Sequence, residues 1–281
     1  MKQNASFGRR LRVACKRYGR IILGGGILAV ILTLAFLAPV LAPHDPNAVD
    51  VFGKFAPRSA EHLLGTDAIG RDVLSRLLHG ARYSILLALL VQLCTVALGS
   101  LLGLLCGYYR VADQIIMRIL EAVNALPTIL LVFVISFILG QGIANMVLAL
   151  VVGGITQVTR QVRAQVLSLR QKEYVESEIA MGARDLRTML VHILPQCSSY
   201  LLVRLGSGMG NTILTMSTLA YLGVGLPSTI PSWGADIAKA QGTIMIHPNL
   251  VFYPMIAIAL TVFACSMLGD GLRDVLDPKL K

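Results

Sequence analysis

Three histidines, His44, His62 and His79, stand in one polar stretch of the chain, and imidazoles are the side chains best suited to hold a metal or move a proton. Their spacing fits no metal-ligating pattern, and no HExxH helix or paired Cys-x-x-Cys accompanies them. They read as separate, solvated side chains, and no metal site is expected. Gly53-Lys54 is followed by Phe55, so the pair does not belong to a phosphate-binding loop. No Ser/His/Asp set suited to nucleophilic catalysis is discernible. The five cysteines, Cys15, Cys94, Cys106, Cys197 and Cys265, fall in or beside apolar runs and read as small apolar residues. No catalytic residue and no bound cofactor are expected.

Two other constellations stand out. Glu173 to Gln196 reads EYVESEIAMGARDLRTMLVHILPQ, a charged stretch between two apolar regions. Tyr174, Ile179, Met181 and Leu186 give it an apolar side, and Glu173, Glu176, Glu178, Arg184 and Asp185 are expected to stay solvated. Gly182 suits a left-handed helix end, and Pro195 suits the first turn of the next helix. The stretch therefore reads as helix, turn, helix. On periodicity alone it is either a docking element or a solvated loop without a role. Further on, Arg204, Ser207, Asn211, Thr215 and Thr218 recur at spacings of 3, 4, 4 and 3 and share one helical face. Polar groups within a span either join helices or face a water-filled path. Five of them, one charged, exceed what joining requires, which favours a translocation path.

The elements that would position these groups are membrane helices. The 281 residues are 55% hydrophobic and 14% charged, against about 25% charged in soluble domains. The net charge of +10 does not indicate nucleic acid, because the basic residues cluster beside apolar runs. They crowd residues 1–20, the loop 161–196 and the C-terminal 270–281, the cytoplasmic bias of membrane proteins. Residues 21–42 would reach about 33 Å as a helix, enough to span, and are too long for a typical cleaved signal. Further spans are expected near 83–107, 115–139, 143–160, 197–222 and 249–269. That gives an all-α polytopic protein of six membrane helices, with both termini cytoplasmic. Residues 43–81 are expected outside, with an amphipathic helix near 65–82 lying on the membrane surface. Residues 82–281 would form the core of five helices. Gly99, Gly103 and Gly107 mark a close helix contact, and Arg118 and Glu121 an ion pair one turn apart.

Glu176, Gly182, Leu194 and Pro195 resemble the EAA loop of permease subunits of ABC-type importers, in which Glu-Ala-Ala is followed by Gly and later by Leu-Pro. Here Ser177 and Glu178 stand in place of the two alanines, and His192 replaces the usual isoleucine. LGTDAIGRDVLSRLLHGAR (64–82), PSWGADIAKAQ (231–241) and LGDGLRDVLDPKLK (268–281) are similar to segments of the peptide/nickel permease family, specifically its second-permease branch. The likeness extends over nearly the whole chain. It implies a type I importer permease fold in the bacterial inner membrane, with a cytoplasmic coupling helix built from Glu173, Tyr174, Glu176, Ser177, Glu178, Ala180, Gly182, Ala183, Leu194 and Pro195. It further implies as partners a second permease subunit, two cytoplasmic ATPase subunits that use ATP and magnesium, and an extracytoplasmic solute-binding protein. The implied cargo is a di- or oligopeptide, with nickel or a metal chelate as the alternative. The rival classes are a secondary transporter and a channel. Against the first, Glu121 is the only acid within an expected span, near its end, and no internal repeat is evident. A channel would not need the coupling stretch.

Overall fold

The computed structural model describes residues 4–227 and 229–276, and the chain end 277–281, with Lys279 and Lys281, lies outside the described residues. All named elements among them are helical. Helix α1 runs Asn4–Phe36, and α2 is the short turn Ala38–Leu41 opened by Pro39. An irregular segment follows, and then α3, Val73–Tyr108, the longest helix. Next come α4 (Arg110–Val123), α5 (Thr128–Leu139) and α6 (Ile143–Arg170). The charged stretch forms α7 (Glu173–Ala180) and α8 (Asp185–Arg187). A π-helical turn, Thr188–Ile193, leads into α9 (Leu194–Tyr221). The chain then folds α10 (Trp233–Ala240), a single 3-10 turn, and α11 (Asn249–Leu276).

Helix α3 is the axis of the molecule. Its most extensive neighbour is α6, and α9 and α11 pack on each other beside it, with α1 along α11. The α3–α6 contact depends on absent side chains. A Cβ on Gly99, Gly103 or Gly107 would lie 2.7, 2.6 or 2.5 Å from the Cβ of Val158, Val162 or Val166. These valines are buried to 0% exposure, so two four-residue ladders interlock and the backbones approach closely.

Among the described residues, four segments are long and apolar enough to cross a membrane: Tyr18–Phe36, α3, α6 and α11. The expected third span is broken. Helices α4 and α5 meet at 84° and pass as one span only when taken together. The break at Asn124–Pro127 follows from Pro127, which cannot donate to the preceding turn and disfavours helical geometry before it. Helix α9 has the length, 28 residues, but its polar stripe keeps it out of the apolar set. Among the described residues, length and composition thus give four spans, or five with the bent pair, where six were expected. Arg118 and Glu121 do pair, at 3.6 Å, on an exposed face of α4.

The expected surface helix near residue 65 is a correction. Residues 73–82 are the first turns of α3, and the preceding residues are irregular. Its charges are turned into protein. Arg76 is 3% exposed and donates through Nε to Asp236 Oδ1 at 2.8 Å and through Nη1 to the Pro46 carbonyl at 3.0 Å. Arg71 pairs with Asp67 at 2.6 Å. The partner Asp236 is 160 residues away in sequence, so a polar helix face meant for protein looked like one meant for headgroups. Burial pushes the Asp236 carboxyl up from its ordinary value, opposed by Arg76, and pushes the Lys239 ammonium down. These groups border a cavity of about 360 Å³ also lined by Leu77 and Pro254. Trp233 closes the same end, 1% exposed, donating its indole N–H to the Leu77 carbonyl at 3.0 Å.

Candidate coupling loop and polar helix face

The opposite end of α3 carries the charged stretch. Helix α7 starts after Lys172, with Glu173 and Glu176 in its first turn, where carboxylates favour the positive helix end. It stops at Gly182, whose φ is +85°. The Gly182 N–H donates to the Ile179 carbonyl at 3.0 Å and the Ala183 N–H to the Glu178 carbonyl at 3.1 Å. That pair of bonds is a Schellman ending, which needs the left-handed residue. The reversal redirects the chain into α8 and the π turn. The wide turn falls just ahead of Pro195, which lacks an N–H and whose ring crowds the preceding turn.

One residue anchors α7. Val175 is fully buried, in a cluster with Val162, Val166, Met189, Ile193 and Cys197, a burial that contributes about 1.5–3 kcal/mol. Leu194 packs against the same cluster. The apolar side anticipated for the loop faces outward instead: Tyr174 is 46% exposed, Met181 80% and Leu186 64%. Glu173, Glu176, Ser177, Ala180, Gly182 and Pro195 are exposed, and Ala183 is half-buried. Ser177 donates its hydroxyl to the Glu173 carbonyl at 2.7 Å.

Of the acids expected to be solvated, Asp185 stays exposed and Glu178 is half-buried, and both are engaged by other side chains. Asp185 accepts the Tyr108 hydroxyl on Oδ1 at 2.9 Å and the Tyr109 hydroxyl on Oδ2 at 3.0 Å. Partial desolvation, then the Asp185 contact, pushes the Tyr109 phenol up from its ordinary value. Glu178 lies 2.7 Å from His192 Nε2, at ion-pair distance though not in aligned hydrogen-bond geometry. Two of the three residues that depart from the EAA pattern, Glu178 and His192, therefore meet each other. Nearby, Arg170 donates to the Tyr108 carbonyl at 2.7 Å and lies over its ring at 4.9 Å, and Arg163 clamps Asp113 with two nitrogens. The loop is thereby tied to the ends of both α3 and α6.

The stripe on α9 divides along its length. Arg204 donates to Gln157 Oε1 of α6 at 2.8 Å, and Tyr200, one turn earlier, donates to Gln161. Ser207 packs on α11, where a Cβ on Gly269 would lie 2.7 Å from its own Cβ. Asn211 and Thr218 are exposed and Thr215 half-buried. The hydroxyls of Ser207, Thr215 and Thr218 donate to carbonyls four residues back on α9 itself, so they do not join helices. The polar link between α3 and α9 is another pair: buried Gln92 donates to Thr212 Oγ1 at 2.6 Å and to the Gly208 carbonyl at 3.0 Å. Sequence reading passed over Gln92, Gln157, Gln161 and Tyr200. Gln157 and Gln161 were legible as a four-residue repeat on the polar end of α6, whereas a lone Gln92 in an apolar run gave no signal.

This arrangement leaves an uncovered apolar surface at one end of α3 and a polar face along α9. Residues 99–281 match the family model described as the binding-protein-dependent transport system inner membrane component. The chain belongs to that family. It is a multi-pass membrane protein, the permease subunit of an ABC importer rather than an enzyme. It is 40% identical over 262 residues to a glutathione transport system permease protein of Pectobacterium atrosepticum, covering 92% of this chain and 87% of the relative. A dipeptide transport system permease protein of Haemophilus influenzae is 37% identical, with 92% and 90% covered. A di/tripeptide transport system permease protein of Pseudomonas aeruginosa is 40% identical, with 92% and 88% covered.

Proposed function

We propose that this chain forms half of the membrane pathway of an importer for short peptides, paired with a second permease subunit. Two cytoplasmic ATPase subunits would bind ATP and magnesium, and an extracytoplasmic binding protein would deliver the cargo. The observation that carries the coupling part of this reading is the loop of α7 and α8, held by the buried Val175 and by the hydrogen bonds of Asp185 while Tyr174, Met181 and Leu186 stay uncovered. An apolar knob on a rigid base suits insertion into a groove of another chain. Movement of that partner would reach α3 and α6 through Tyr108, Arg170 and the valine cluster.

The orientation that follows puts α7 and both termini in the cytoplasm of a bacterial inner membrane, with residues 43–72 and α10 outside. Peptide cargo is the class named for the relatives above, and it suits a path lined by neutral hydrogen-bonding groups, Asn211, Thr215 and Thr218, with Arg204 at its inner end. The test is reconstitution of the chain with its neighbouring transport subunits in liposomes. Uptake of a labelled di- or tripeptide should require ATP, stop with vanadate and be competed by unlabelled peptide. Uptake that persists with an inactive ATPase would overturn the proposal.

A further inference from the structure

His44, His62 and Asp72 stand 18 and 10 residues apart in sequence, yet the fold gathers them at the end of α3 remote from α7. Asp72 caps α3, its Oδ2 accepting the Ser75 N–H at 2.7 Å. The same serine fixes the chain leaving α2, because the His44 N–H donates to Ser75 Oγ at 3.2 Å. His62 is turned inward by a local loop: its N–H donates to Ser59 Oγ at 2.9 Å, and its carbonyl accepts the Gly65 N–H at 3.0 Å. The two imidazoles then lie 4.6 Å apart between ring centres, and His62 Nδ1 sits 2.9 Å from Asp72 Oδ1. A ligand atom from each of the three residues lies within 4.8 Å of the others. The carboxylate is 2% exposed, and His44 Nδ1 is shielded from solvent with no hydrogen-bond partner. A buried nitrogen in that state calls for an occupant.

We propose that His44, His62 and Asp72 bind one divalent transition-metal ion, with zinc the best match. Two imidazoles and a carboxylate suit zinc, nickel or copper, whereas magnesium and calcium prefer all-oxygen sites. Zinc bonds of about 2.0–2.2 Å place tetrahedral donors about 3.3 Å apart, so the three groups must close by roughly an ångström. Rotation of the two half-buried histidines can supply that movement. The fourth position is left for water. The ion joins three stretches of chain, the exit of α2, the turn at residues 59–65 and the cap of α3, and so staples the irregular 43–72 segment onto the helix bundle. This role is independent of which cargo the importer carries. His79 lies outside this group of three, its Nδ1 2.9 Å from the Ser75 carbonyl of its own helix.

The experiment uses the full chain purified in detergent, stripped with a chelator and titrated with zinc chloride against a chromophoric zinc indicator. One tight equivalent is expected in the wild type. His44→Gln and His62→Gln should each weaken it about 10–100-fold or more, while His79→Gln leaves it unchanged. Cobalt substituted for zinc should give the visible absorption of a tetrahedral centre, lost in the same two variants. Bound zinc should also slow proteolysis within residues 43–72. Absence of stoichiometric binding in the wild type would overturn the proposal. So would binding that survives both substitutions, or an octahedral cobalt spectrum. The cobalt measurement needs no variant, so a misfolded substitution cannot shelter the proposal.

Discussion

At one end of α3, Arg76 is 3% exposed and held by Asp236, with Trp233 sealing the layer around it. At the other, Tyr108 and Tyr109 hold a loop whose Met181 is 80% exposed and whose Leu186 is 64% exposed. Both ends are rich in charge, and both tie remote segments to the same helix. They differ in what remains over. Arg76 and Asp236 find their partners within the chain, so this pair spends its charge on the chain's own fold. At α7 the chain secures only the base, through Val175 and Asp185, and leaves an apolar side without intramolecular cover. A surface that the fold does not need for itself is one available to another chain.

The contrast breaks most readily at the buried pair. Asp236→Ala leaves the Arg76 guanidinium buried and uncompensated, and loss of one member of such a pair costs about 3–5 kcal/mol. We expect a sharp fall in thermal stability in detergent and in folded yield. Replacing both residues, as Arg76→Met with Asp236→Leu, should recover most of it. A single Asp236→Ala variant as stable as wild type would show that this end is not self-contained.

Gly182→Val tests the other end. A β-branched residue at φ +85° is strained, at about 1–3 kcal/mol, but the strain falls in an exposed turn with no atom within 4 Å of a new Cβ. The chain should still insert and elute as folded protein, while ATPase subunits no longer co-purify with it. Glu176→Lys should change stability by no more than about 0.5 kcal/mol and yet reduce ligand-stimulated ATP hydrolysis in liposomes. Normal co-purification and normal coupled transport in both variants would make α7 a plain solvated loop.

A finer cut separates base from knob. Glu178→Ala and His192→Ile each remove one member of the 2.7 Å contact, and the double variant restores two of the three residues that depart from the EAA pattern, leaving Ser177. Their interaction in a double-mutant cycle should be about 0.5–3 kcal/mol if the two sense each other, read by thermal unfolding. Strict additivity would show that the contact contributes nothing. The smallest effects are expected on the polar face. Cysteines at Asn211 and Thr218 should react with small water-soluble thiol reagents in the assembled transporter, while Ile213, at 0% exposure, stays protected. Equal protection at all three positions would assign the stripe to a helix contact instead.

The existence of the long helices, the glycine ladder and the left-handed Gly182 were legible in sequence, and the break at Pro127, though 115–139 was expected as one span, has an equally local cause. Each depends on a neighbour within a turn or on a property of one residue type. A proline removes its donor wherever it sits, and a glycine repeat permits close approach before its partner is known. The loop as a unit was legible too, because a charged stretch between two apolar regions is a local signal.

Tertiary structure decided which face of each element is paid attention by another. Arg76 read as a headgroup-facing residue until α10 brought Asp236 to it from 160 residues away. Asp185 stays exposed as its sequence suggests, but the end of α3 delivers two phenols to it. His44, His62 and Asp72 read as separate until Ser75 drew two stretches of chain to one helix cap. The sequence by itself determined the helices, their breaks and their polar positions, because these follow from local backbone sterics and from periodicity. Only the fold determined partnership, because the attraction between two charges or the ligation of one ion depends on distance in space, which a separation along the chain does not specify.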